Sequence, residues 1–198
     1  MATQSIDREP IPAWLTPVEG FRAEEFLALP DLPRHTELID GGLVFVAPQR
    51  NFHMAMIDLL VSAIRRQRPD GLRVGREMAL RLGDRTVVEP DVMIIAADRP
   101  ADPDRTHVLP DETVLVVEVS SPDSVERDRD TKPHKYAQAG IEHYWRVEQT
   151  GQRAVVHCYR LDPATGSYLI AGIHHDRLDV TAPARIRIDL SDVEQFYL

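Results

Sequence analysis

The sequence predicts a fold of the α+β (α/β) class, with many short strands, two or three helices and a C-terminal β-meander. Three observations carry this. Apolar runs such as Thr113-Val114-Leu115-Val116-Val117 and Val92-Met93-Ile94-Ile95 are short, rich in β-branched residues and bounded by Pro and Asp, as strands are. Residues 53–66 repeat apolar side chains at spacings of three and four, the mark of an amphipathic helix. After residue 153 only strand-like runs recur.

In chain order, residues 1–17 carry Pro10, Pro12 and Pro17 and read as a flexible arm ahead of one domain, residues 18–198. Residues 22–29 have helical composition, and Pro30 stops them. Glu37-Leu38-Ile39 and Leu43-Val44-Phe45-Val46 flank Asp40-Gly41, a preferred pair for the type I′ turn of a hairpin. The helix at residues 53–66 ends before Pro69-Asp70-Gly71. Strands are expected at residues 74–82 and 87–95, then a Pro-rich surface connection at 98–111, then the strand that carries Glu118. Ser121-Pro122-Asp123-Ser124 is a turn. A short helix begins at Pro133, with Lys132 at its cap because the residue before a proline disfavours α geometry. It ends at Gly140, with Ile141 packing back on Tyr136. Residues 143–147 form a strand, and 154–161, 167–173 and 184–190 form the meander.

Composition narrows the function classes. The single cysteine, Cys158, rules out a disulfide framework and a thiolate zinc site, and reads as a small buried hydrophobe. No apolar stretch approaches the ~20 residues that span a bilayer, and the N-terminus lacks a signal-peptide pattern, so a cytoplasmic, bacterial protein without membrane contact is expected. A net charge of −9 argues against a strong electrostatic grip on phosphate backbones. Arg65, Arg66, Arg68, Arg73 and Arg76 read mainly as a solvated face, and Tyr144 and Trp145 as core.

Two acids stand out. Glu118 interrupts an apolar strand near its end, and Asp91, in the step Glu89-Pro90-Asp91, heads another. If those strands pair antiparallel, both carboxylates reach one sheet edge. A structural salt bridge is the competing reading of Glu118, but two acids at one edge invite a divalent metal such as Mg²⁺ or Mn²⁺. Such a metal binds a phosphate oxygen and lowers the pKa of a bound water, the chemistry of phosphodiester hydrolysis. A lysine beside it would orient the water or offset developing charge. The position two residues after Glu118 is Ser120, which cannot do this, so Lys132 is the candidate.

Glu37-Leu38-Ile39-Asp40-Gly41, His53, Glu89-Pro90-Asp91-Val92, Val117-Glu118-Val119-Ser120-Ser121-Pro122, Asp128, Lys132, Tyr136-Ala137, Ala139-Gly140-Ile141 and Glu142-His143-Tyr144-Trp145 occur in one order. In that order the chain resembles the Uma-two family of restriction-endonuclease-like proteins, within the PD-(D/E)XK nuclease superfamily. The resemblance runs from about residue 17 to the C-terminus and is most specific at residues 117–145. It implies a mixed central β-sheet flanked by helices, with Asp91 and Glu118 as metal ligands and Lys132 as the lysine moved to the following helix. It matches Glu37 to an acid that completes the site, and His53 to a supporting histidine, with Ser120 beside them. The implied activity is a Mg²⁺- or Mn²⁺-dependent endonuclease acting on nucleic acid, with DNA as the expected substrate and a homodimer left open. Two other readings stand beside it: a nuclease-fold protein that binds or regulates without catalysis, which the acidic charge and Pro133 favour, and a metal hydrolase of another substrate.

Overall fold

The computed structural model describes residues 17–198 apart from 68, 69, 99 and 123. The expected N-terminal arm, except Pro17, lies outside the described residues, as do Arg68, Pro69 and Asp123 of the readings above. A short helix, α1 (Ala23–Leu27), buries Ala23 and Phe26 against a hairpin of β1 (Thr36–Ile39) and β2 (Gly42–Phe45). Asp40 and Gly41 join those strands with φ of 52° and 87°, the two positive values a type I′ turn requires. The amphipathic stretch folds as α2 (Asn51–Gln67).

The next two expected strands each break in two. The first becomes β3 (Leu72–Arg76) and β4 (Ala79–Gly83), the second β5 (Thr86–Val88) and β6 (Val92–Ala96). Glu77 between β3 and β4 sits at φ 46°, where no strand continues. Pro90 between β5 and β6 has no N–H for a ladder. The breaks send the pieces to different sheets. β5 and β4 join the hairpin in a five-stranded sheet of order β2-β1-β5-β4-β7, where β7 (His107–Val108) comes from within the expected surface connection. β3 and β6 join a six-stranded sheet, with β3 at its edge.

That sheet contains β8 (Thr113–Val119), β9 (His143–Thr150), β10 (Arg153–Asp162) and β11 (Ser167–His174). It is mixed: β8 and β9 run parallel, while its other pairs are antiparallel. Two of the expected meander strands therefore extend the central sheet. The third pairs as β13 (Ile186–Asp189) with a strand the sequence did not suggest, β12 (Arg177–Val180).

Alternation along β8 and β6 builds two cores. Leu115, Val117, Val119, Val92 and Ile94 meet α2 on one face. Val116 and Met93 point the other way, to Tyr136, Ile141 and Tyr144. By the same alternation Glu118 shares the face of Val116. Tyr144, Trp145 and Cys158 are buried as expected, and burial pushes the Cys158 thiol up to about 12.

A parallel β8–β9 pair needs a crossover, and the chain supplies it as a π-helical turn, Arg127–Thr131, continuous with α3 (Lys132–Gln138). Here the expectation for Lys132 is corrected. It is not a cap outside the helix: its φ of −64° and ψ of −45° are helical, and its N–H bonds the Arg127 carbonyl five residues back. The wider turn reconciles Lys132 with Pro133, whose ring would meet the carbonyl four residues back in a regular α-helix. At the far end, Ile141 N–H bonds Tyr136 O at 3.1 Å around a left-handed Gly140, as expected.

Candidate active site

The register of β6 on β8 pairs Val92 with Val117, so Asp91, just before β6, stands opposite Glu118. The antiparallel arrangement thus brings both acids to one sheet edge. Asp91 Oδ2 accepts the Val119 N–H at 2.6 Å and lies 3.2 Å from His53 Nε2, at the start of α2. Glu118 points to α3, where Lys132 Nζ donates to its Oε1 at 3.1 Å and Tyr136 OH donates to the same oxygen. Lys132 also reaches Glu37 Oε1 of β1 at 2.9 Å, and Glu37 Oε1 accepts the Glu89 N–H. Glu37, His53, Asp91, Glu118 and Lys132 therefore line one cavity of about 50 Å³, room for a few waters. Ser120 lines the neighbouring groove instead, its buried Oγ turned toward Asp128, whose carboxyl it helps to hold down.

Asp128 enters without having been given a role. It is buried, accepts from Ser124 Oγ at 2.7 Å, and its Oδ1 lies 4.0 Å from Lys132 Nζ. Tyr136 likewise had no role. The spacing Asp128, Lys132, Tyr136, each four apart, is the signal that would have found both. At the rim, His35 pairs with Glu89 at 2.8 Å and Gln49 bonds Glu77 at 2.9 Å.

The electrostatics follow from burial in a crowd of acids. Burial pushes the Glu118 carboxyl well above its ordinary range; Lys132 pulls it down, while Asp128, Asp91 and Glu37 push it further up. Burial also raises Asp128, opposed by Lys132 and the Ser124 hydroxyl. Lys132 moves the other way for a buried amine. Burial would lower it, but the surrounding acids, Glu118 first, outweigh that and hold it charged. The two partners differ because Glu118 faces one lysine among several acids, whereas Lys132 faces only acids. For His53, burial disfavours the imidazolium, and Asp91 more than offsets it.

Among the described residues, no group of three or more His, Cys, Asp or Glu is arranged to hold a metal. The donor set nonetheless fits a small divalent cation that keeps most of its waters and takes one or two carboxylates. The bonds to Glu118 fall on Oε1 and those to Asp91 on Oδ2, so each offers its other oxygen. Glu37 Oε2 and Asp128 Oδ1 are buried and make no hydrogen bond, Asp128 Oδ1 having Lys132 Nζ at 4.0 Å. All are hard oxygens, suited to Mg²⁺ or Mn²⁺.

Sheet, crossover and clustered acids define a restriction-endonuclease-like fold. The family model described as "Putative restriction endonuclease", Uma2, matches residues 23–191, and the chain belongs to that family. Its fold is similar to the crystal structure of a "putative nuclease belonging to DUF820" from Anabaena variabilis, with a TM-score of 0.64 at 20% identity, covering 88% of this chain and 98% of that one. Among curated proteins, none matches. No helix of the described residues is long and apolar enough to cross a membrane.

Proposed function

We propose that the protein is a divalent-metal-dependent nuclease that hydrolyses phosphodiester bonds, with DNA as its substrate. One observation carries the reading: a charged, buried Lys132 is held 2.9 Å from Glu37 and 3.1 Å from Glu118, in the same cavity as Asp91. Asp91 and Glu118 would hold Mg²⁺ or Mn²⁺, which when bound binds a phosphate oxygen and makes its water a stronger nucleophile. Lys132 has an ammonium ready to orient the attacking water or to balance charge growing on the phosphorus oxygens. Glu37 aims the lysine, and Tyr136 fixes the Glu118 carboxylate. His53 and the Val119 amide hold Asp91. DNA is proposed over other phosphodiesters because the family is described as a restriction endonuclease.

A homodimer belongs to the same proposal. β11 is an edge strand that exposes Leu169, Ile170 and Ile173, the kind of edge that pairs with a second copy.

A second reading, a binding or regulatory module that keeps the fold, draws on Lys132 itself partnering the acids. Cleavage of plasmid and single-stranded DNA with Mg²⁺ and with Mn²⁺ separates the two. The nuclease reading expects metal-dependent cleavage that Glu118→Ala abolishes. Wild-type turnover equal to that blank under every condition leaves the binding module.

A further inference from the structure

We infer that Arg127 is the phosphate contact of this site, an inference that rests on the nuclease reading and assigns the group that grips the substrate. The basic side chains lining the cavity are His35, His53, Lys132 and Arg127. The first three are each paired with an acid, to Glu89, Asp91 and Glu37/Glu118 in turn. Arg127 makes no ion pair with any described residue, although it lines a cavity walled by carboxylates, and its Nε is buried without a hydrogen-bond partner. An arginine kept only for the fold would close on one of those acids, because leaving a buried donor unmade costs free energy. Its neighbour Arg129 does so, with Nε and Nη2 on the two carboxylate oxygens of Glu148 at 2.9 and 3.0 Å.

The π-helical turn explains where Arg127 points. One hydrogen bond, Lys132 N–H to Arg127 O, spans five residues and sets the two side chains one turn apart. In a regular α-helix residues five apart diverge by about 140°, and only one could face the cavity. Here both line it. Lys132 is paired with Glu37 and Glu118, so Arg127 is the cation of the cavity wall that has no acid partner among the described residues. Its planar fork matches two oxygens of a phosphodiester. An acidic site needs such a contact, since the net charge of −9 supplies no general attraction for DNA.

The test is binding of a fluorescently labelled DNA duplex in Ca²⁺, measured by anisotropy across a salt series, beside melting temperatures. Arg127→Gln should weaken binding roughly tenfold or more and reduce the salt slope by about one. It should melt at or above the wild-type temperature, because no protein partner is left unpaired. Arg127→Lys should restore the slope but only part of the affinity, and Arg129→Gln should bind as wild type. Unchanged affinity and slope in Arg127→Gln, with a wild type that cleaves DNA, overturn the role of Arg127 alone. A fall in melting temperature that accompanies the binding loss assigns Arg127 to the fold and also overturns it. A wild type that neither binds nor cleaves removes the nuclease reading, and this inference with it.

Discussion

The Val119 amide donates to Asp91 Oδ2 at 2.6 Å, fastening the acid ahead of β6 to the last residue of β8. The two strands thus carry the site's acids and lock their spacing through one of them. Asp91 has both a structural oxygen and a free one. That division makes its two roles separable by mutation.

Asp91→Asn keeps a carbonyl oxygen for Val119, so the metal-free variant should melt within a degree or so of wild type or slightly higher, like charge having been removed. Asp91→Ala leaves the buried amide unpaired and should cost about 1–3 kcal/mol. Added Mn²⁺ should stabilise wild type by mass action, about 2.7 kcal/mol at a hundred times its Kd, and should leave both variants unmoved. Calorimetric melting with and without Mn²⁺ reads all three. A metal response that survives in Asp91→Asn would remove Asp91 from the ligand set.

Glu118 gives a pH signature. Burial holds its carboxyl above the ordinary 4.5, so the folded protein keeps a proton that the unfolded chain releases. Below 4.5 both states are protonated and the effect vanishes. As pH rises from 4.5 toward the raised folded value, stability is lost, because the native state then binds more protons than the unfolded. Glu118→Gln, a mimic of the protonated acid, should match wild type near pH 4.5 and become more stable than it as pH rises through the raised folded value, without metal. The reverse order at pH 8 would mean that the bond to Lys132 outweighs burial.

Much of this site was legible because acids in apolar strands are conspicuous. Asp91 and Glu118 announced themselves by composition, and their places at opposite ends of short runs put them at one edge on the condition of antiparallel pairing, which the register of β6 on β8 meets. The hairpin was legible from Asp40-Gly41. What escaped depends on backbone choices with weak local signals. Glu77 carries a left-handed φ that its residue type does not advertise, so two strands read as one and the five-stranded sheet went unseen. The π-helical turn escaped for a related reason. The residue before a proline is pressed away from α geometry by the ring next to it, and that local rule placed Lys132 outside a helix that it enters here with helical φ and ψ. Arg127 carries no signal like the four-residue spacing of Asp128 and Lys132, since it lies five residues before Lys132, and it is the wider turn that lets both Arg127 and Lys132 line the cavity.

Pro133 is expected to maintain that turn. Pro133→Ala restores an N–H able to bond the Arg129 carbonyl in the regular α pattern, drawing Arg127 and Lys132 out of register. Turnover should fall, by up to about 10²-fold if the ammonium moves by an ångström. The melting temperature should change little. Amide exchange of residues 127–133 would show whether the pattern of bonds has changed. Equal turnover with a regularised helix would show that the wide turn is dispensable for activity.

Lys132 separates an enzyme from a relic. It is buried between Glu37 and Glu118, and removing one partner of such a group usually costs about 3–5 kcal/mol. Lys132→Met should therefore lower the melting temperature of the metal-free protein, and metal should recover part of the loss by neutralising the acids left behind. Assayed well below that temperature at saturating metal, the variant should lose kcat for DNA by roughly 10²-fold or more, the scale set by removing one charge stabiliser. KM should barely move, since an interaction made mainly in the transition state leaves ground-state binding alone. Lys135 is the control on the same helix. It pairs with Asp40 at 2.6 Å beside the hairpin turn, away from the acids. Lys135→Ala should cost less than about 1 kcal/mol and leave kcat within a few-fold. A folded, metal-saturated Lys132→Met that cleaves at the wild-type rate would reduce Lys132 to a counter-ion of the acids.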